Sequence, residues 1–164
     1  MIRKVVDRVH SVVDTNFNTF FATLASEAGV PALTPTRFKR LSADRFKLRV
    51  QNGIGVYHEG GATTRRRPGA GSSAAIRDTR VDMVLDWYLR STKESEIAVQ
   101  TELAIRASLQ CIDLLPDGTN IVHAAEGDEA IRWVIERDSL SEDTRVATER
   151  ALIRFPCWHR ETGL

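Results

Sequence analysis

Ile2, Val5, Val6, Val9, Val12, Val13, Phe17, Phe20, Phe21 and Leu24 recur at steps of one, three and four, the spacing that gathers apolar side chains onto one stripe of an α-helix. Arg3, Lys4, Asp7, Arg8, Ser11 and Asp14 take the opposite side, and Gly29 with Pro31 ends the segment. Several stripe positions are β-branched and lower the intrinsic helix preference, so packing has to hold this helix. The pattern then changes period. Residues 30–45 read as a connector, and Phe46, Leu48 and Val50 alternate with Lys47, Arg49 and Gln51 as a half-buried strand does. Asn52-Gly53 is a strong turn dipeptide, which predicts a hairpin to a short strand over Ile54, Val56 and His58 that ends at Gly60-Gly61.

Residues 60–75, GGATTRRRPGAGSSAA, have no apolar period, and 62–75 is expected to be a flexible basic loop. The longest alternating run follows: Val81, Met83, Leu85, Trp87 and Leu89 against Asp82, Val84, Asp86 and Tyr88, which predicts a long strand near the middle of a sheet. Ser91 through Glu94 resembles a capping box. Ile97, Ala104, Ile105, Cys111, Ile112 and Leu115, widened by Val99, Leu103, Ala107 and Leu114, form the stripe of a second helix that Pro116-Asp117-Gly118 terminates. Two strands close the chain. One carries Ile131, Trp133 and Ile135 on its inner side; the other runs from Val146 through Trp158, with a polar turn at 139–143 between them. The order helix, strand pair, long strand, helix, strand, strand predicts an α+β fold: one domain over 1–164, with a mixed, mainly antiparallel sheet flanked by an N-terminal helix and a central helix.

Composition narrows the class. A chain of 164 residues with 42% hydrophobic and 27% charged residues is ordinary for a globular domain, and no apolar run is long enough for a membrane-spanning helix. The charged N-terminus argues against a secretory signal, and two cysteines, Cys111 and Cys157, supply neither a disulfide framework nor a metal knuckle, as suits a reducing compartment. The net charge of +1 hides a division: residues 1–80 hold 14 basic and 6 acidic residues, and residues 81–164 hold 9 basic and 16 acidic. One basic and one acidic surface suit a self-assembling subunit.

Chemistry-bearing motifs are sparse. The chain contains no dinucleotide fingerprint, P-loop or HExxH, and its four histidines stand far apart. Cys111 and Cys157 fall on apolar faces as small core residues. Ser72-Ser73 lacks the elbow of a serine nucleophile, and Glu126, Asp128 and Glu129 read as a solvated turn. No enzymatic function and no cofactor are expected. The sharpest polar feature is Arg65-Arg66-Arg67, with Arg37, Lys39 and Arg40 as a further basic cluster; such residues suit contact with phosphates or with an acidic protein surface.

The strand Gly55–Gly61 ending in a glycine-rich stretch, the long strand Val81–Leu89, the following helix, the strand around Trp133-Val134-Ile135 and the closing strand Arg150–Phe155 together resemble the tail terminator proteins of long-tailed bacteriophages, lambda-like in type. The resemblance spans nearly the whole chain and rests on order and hydrophobic pattern. It implies a structural virion protein at the head–tail junction, assembled in the host cytoplasm as a homo-oligomeric ring, in that family a hexamer. The ring caps the tail tube, ends its polymerisation and offers a surface to a head–tail connector or stopper protein, while genomic DNA passes through its lumen. Two alternatives stay open: another phage neck component for head closure or tail completion, and a small nucleic-acid-binding module that uses the basic loop.

Overall fold

A computed structural model describes residues 2–39, 52–66, 76–91, 93–138 and 147–162. The chain forms α1 (Ile2–Ala28), β1 (Thr36–Lys39), β2 (Asn52–Arg66), β3 (Ile76–Ser91), α2 (Glu94–Asp113), β4 (His123–Ala124), β5 (Arg132–Asp138) and β6 (Ala147–Thr162). The strands make one sheet in the order β1-β2-β3-β6, with β4 and β5 following one another along the far side of β6. Only the β1–β2 pair is parallel. The fold is α+β with a mixed, mainly antiparallel sheet and two flanking helices, as the sequence predicts.

The apolar stripe of α1 buries Val5, Val6, Val9, Val12, Val13, Phe17, Phe21 and Leu24. Gly29, at φ +67°, lets the chain turn so that the Val30 amide donates to the Ala25 carbonyl at 3.0 Å. Ile2 lies at the exposed start and Phe20 is half-buried, so the stripe is narrower than its sequence period. Both helices pack on the sheet face that carries Ile54 and Val56 of β2, Val81, Met83, Leu85, Trp87 and Leu89 of β3, and Ala151, Ile153, Phe155 and Cys157 of β6. Trp87 sits at the centre of this core, with ring centroids 6.0 Å from Phe17 and 5.8 Å from Phe21. Aromatic packing of this kind adds to area burial.

Several expectations are corrected. Asn52-Gly53 is no turn: both residues are extended in the ladder, opposite Leu89 and Tyr88 of β3, and Gly53 is level with Thr36 of β1, which runs parallel to β2. β1 itself arises inside the expected connector. Residues 60–66, expected to be loop, continue β2 as far as Arg66 opposite Ile76. Cross-strand pairing overrides the local glycine content, with Thr63 and Thr79 hydroxyls 3.1 Å apart. A bulge between His58 and Gly60 makes the extension possible, and a Cβ on Gly61 would run into the Arg80 carbonyl. α2 begins at Glu94 with Lys93 as its cap and no side-chain cap bond; Ser91 stays in β3 opposite Ala147 and accepts a hydrogen bond from the Lys93 amide at 3.1 Å. Val99 and Leu114 are exposed rather than part of the α2 stripe, and Trp133 on β5 is 53% exposed because it stands at the sheet's edge. The short strand β4 has no signal in the sequence pattern. The expected strand at Phe46–Gln51, the distal loop residues 67–75 and the turn at 139–143 lie outside the described residues.

The end of α2 is tied to α1. The Arg8 Nη2 donates to the Leu114 carbonyl at 3.0 Å and its Nε to that of Leu115 at 3.3 Å. Asp117 Oδ1 accepts the amides of Thr119, Asn120 and Ile121 at 2.8–2.9 Å, which closes the turn after the helix. The two buried and exposed tryptophans give a direct check. Trp87→Ala is expected to cost about 3–5 kcal/mol in urea unfolding, whereas Trp133→Ala stays within about 0.5 kcal/mol for the isolated subunit. Equal losses would contradict this placement of the core.

Candidate functional site

Strand alternation sends every second residue of β3 and β6 away from the helices, and on that outer face the residues are largely charged. At its centre Asp86, 1% exposed, receives Nε and Nη2 of Arg150, both at 2.8 Å, and lies 3.3 Å from the Tyr57 hydroxyl. Arg150 also reaches Glu136 at 3.3 Å. Arg154 makes a two-pronged pair with Glu59 at 2.9 and 3.1 Å. Asp78 holds Arg160 at 2.7 Å and Arg66 at 3.6 Å, and Arg80 meets Asp82 at 2.8 Å. Most of these bonds join neighbouring strands or neighbouring positions on one strand, and the Arg154–Glu59 pair reaches from β6 across β3 to β2, so the face is a lattice of paired charges. Burial pushes the Tyr57 hydroxyl up to about 12, and the Asp86 carboxylate adds to that shift. The hydrogen bond from Arg160 holds the Asp78 carboxyl below its ordinary 3.8.

Two grooves indent this face. One, of about 510 Å³, lies between the β2 bulge and the turn before β5 and is lined by Glu59, Arg80, Asp82, Asp128, Arg132 and Arg154 among others. The other, of about 230 Å³, is lined by Arg66, Asp78, His123, Glu129, Trp158 and Arg160 among others. In the second, the His123 ring stacks on Trp158 with centroids 5.6 Å apart. The Trp158 Nε1 donates to Glu129 at 2.7 Å, and His123 Nδ1 stands 3.8 Å from the other Glu129 oxygen. Glu129 is therefore a structural acceptor, not a member of a solvated turn; Glu126 and Asp128 remain exposed. Among the described residues no three His, Cys, Asp or Glu side chains converge as a metal-holding group. Cys111 and Cys157 are buried and unpaired, and burial raises both thiols, that of Cys111 to about 12.

The expected basic site is divided. Arg65 and Arg66 end β2 on opposite faces: Arg66 faces the lattice and pairs with Asp78, while Arg65 stands directly opposite Arg77 with no ion pair to either among the described residues. Like charges so placed repel. Arg37 and Lys39 lie on β1, level with Ile54 and Val56 and far along β2 from Arg65, so the two clusters are not brought together. Arg67 and Arg40 lie outside the described residues. What the sequence reading missed is the lattice itself. Its signal was present in the spacing of Arg80, Asp82 and Asp86 and of Arg150, Arg154 and Arg160, all at even positions of strands whose central odd positions, 81–89 and 151–157, are apolar. No protein-family model and no curated protein matches the chain.

Two predictions test the lattice. Asp86→Ala takes from the half-buried Arg150 guanidinium its two-pronged partner and leaves it Glu136, and is expected to cost about 1–3 kcal/mol, whereas Asp86→Leu combined with Arg150→Met recovers most of that loss in denaturant titrations. A double variant as unstable as the single would contradict the pairing. Around pH 3.8 the folded chain holds fewer protons at Asp78 than the unfolded chain does, so this contribution is complete at higher pH and fades as pH falls through the depressed folded value. The stability gap between the native chain and Arg160→Gln is therefore expected to be widest above about pH 4 and to shrink in acid. A gap constant from neutral pH into acid would contradict it.

Proposed function

We propose that this chain is a structural subunit of a bacteriophage tail, which assembles with copies of itself into a ring that caps the tail tube, ends tube growth and offers a surface for joining to the head. The observation that carries the reading is the element order. A long N-terminal helix, a strand pair, a long central strand, a second helix, the two-residue β4 and two longer closing strands follow one another, an order that, β4 apart, is the one the resemblance to tail terminators implies. The outer face supports it physically. Its arginines are mostly neutralised by their own neighbours, so a ring built with this face toward a lumen lets DNA slide without gripping its phosphates. In this reading the protein works through shape and docking, makes and breaks no bond, and resides at the head–tail junction. Its partners are its own copies, the tail tube protein, a connector or stopper protein and the transiting genome. A head-closure or tail-completion role belongs to the same class and differs in position along the neck.

A nucleic-acid-binding module is the second reading, favoured by Arg65 and Arg77, which face each other at the end of the β2–β3 ladder with no ion pair among the described residues.

The deciding experiment adds the purified chain to polymerising tail tube protein and images the product. Tubes that stop growing and carry a ring at one end are expected. Tubes of unchanged length with bare ends would overturn the proposal, and salt-sensitive DNA binding by the free subunit would favour the second reading.

A further inference from the structure

The sheet has two lateral edges, and they match each other. Four ladder rows cross it from end to end. Thr36, Gly53, Tyr88, Arg150 and Glu136 lie in one row, and Arg37, Ile54, Trp87, Ala151 and Ile135 in the next. Phe38 falls in the row of Val134, and Lys39 in the row of Trp133. β1 and β5 are thus level with one another. They also run in opposite directions, because β1 is parallel to β2 and each of the three later pairings reverses direction. Among the described residues no strand pairs with the outward edge of either.

β5 carries charge at its ends, at Arg132, Glu136, Arg137 and Asp138, but its middle is apolar and open. Trp133 is 53% and Val134 50% exposed, one on each face of the strand. An open edge with large apolar residues is a template for another strand. The rows that β1 shares are the rows of this apolar middle, from Trp133 to Glu136.

We infer that β5 of one copy pairs antiparallel with β1 of the next. Two copies in the same upright orientation bring these strands together with the direction an antiparallel ladder needs. The shared rows set Val134 level with Phe38 and Trp133 level with Lys39 along the joined edge. Since the two edges are level, each added copy is displaced sideways with no rise along the strands, which a closed ring requires; closure itself follows when the rotation from copy to copy divides a full turn. This inference rests on the ring reading above and names its interface.

The test is a paired substitution on the full chain, read as mass by analytical ultracentrifugation over a concentration series, with thermal melting of the dilute subunit as the folding control. Trp133→Lys sets two cations face to face and is expected to weaken association by roughly thirtyfold or more, the loss typical of a central interface residue, with melting unchanged. Adding Lys39→Glu to that variant restores an opposite-charge pair and is expected to recover assembly. If the native chain forms a ring and Trp133→Lys forms it equally well, or if the double variant fails to reassemble, the pairing is overturned while the ring stands. A native chain that stays monomeric throughout the series and in the presence of tail tube protein overturns the ring, and this interface with it.

Discussion

Sixteen uninterrupted rows of antiparallel pairing join β3 to β6, and the remaining structure is arranged around them. Over that length the two-residue period of a strand makes the sheet strictly two-sided. Odd positions from Val81 to Leu89 and from Ala151 to Cys157 enter one core with both helices, and the even positions carry the charged lattice, with Val84, Tyr88 and Leu152 packed among its ion pairs. The constraint is severe because a slip of one residue would bury Asp86 against the helices and expose Trp87. Asp86 is tolerated at 1% exposure only because Arg150 and Tyr57 surround it. Removing one member of such a pair is far more damaging than replacing both, so the lattice specifies register as much as it adds stability.

The elements held by their own hydrophobic period were legible from sequence alone. α1, β3, α2 and β6 follow from repeating apolar positions that largely agree with their burial, and β5 follows from its alternation although its burial does not. The rest depended on contacts between distant segments. Gly60 to Arg66 has the composition of a loop and becomes strand because Ile76 to Asp82 lies alongside it. Asn52-Gly53 has the composition of a turn and becomes strand, extended opposite Leu89 and Tyr88 of β3. Trp133 alternates as a core residue and is exposed because the helices do not reach the sheet's edge. Of the basic candidates, Arg65 and Arg66 were read as one cluster because they are adjacent. Strand geometry separates adjacent residues onto opposite faces, so their charges serve different surroundings. The lattice partners Asp86 with Arg150 and Glu59 with Arg154 are 64 and 95 residues apart, beyond any local motif.

The division of charge along the sequence does not become a division across the sheet. Strand order puts β1 and β2, from the basic half, on one side of β3, but β4, β5 and β6 on the other side carry five arginines against four carboxylates. What the topology does supply is a pair of level edges that run in opposite directions, the geometry of a repeat joined head to tail. A mostly self-neutralised outer face and an apolar open edge assign different tasks to the two surfaces in the proposed ring: one faces the lumen, the other neighbouring copies.

The central claim is that copies join edge to edge, through backbone as well as side chains, and amide hydrogen exchange reads that directly. The account predicts that amides of β1 and β5 exchange quickly in the dilute subunit and become strongly protected on assembly, while those of β3 are slow in both states. Assembled rings in which β5 exchanges as fast as in the free subunit would contradict it.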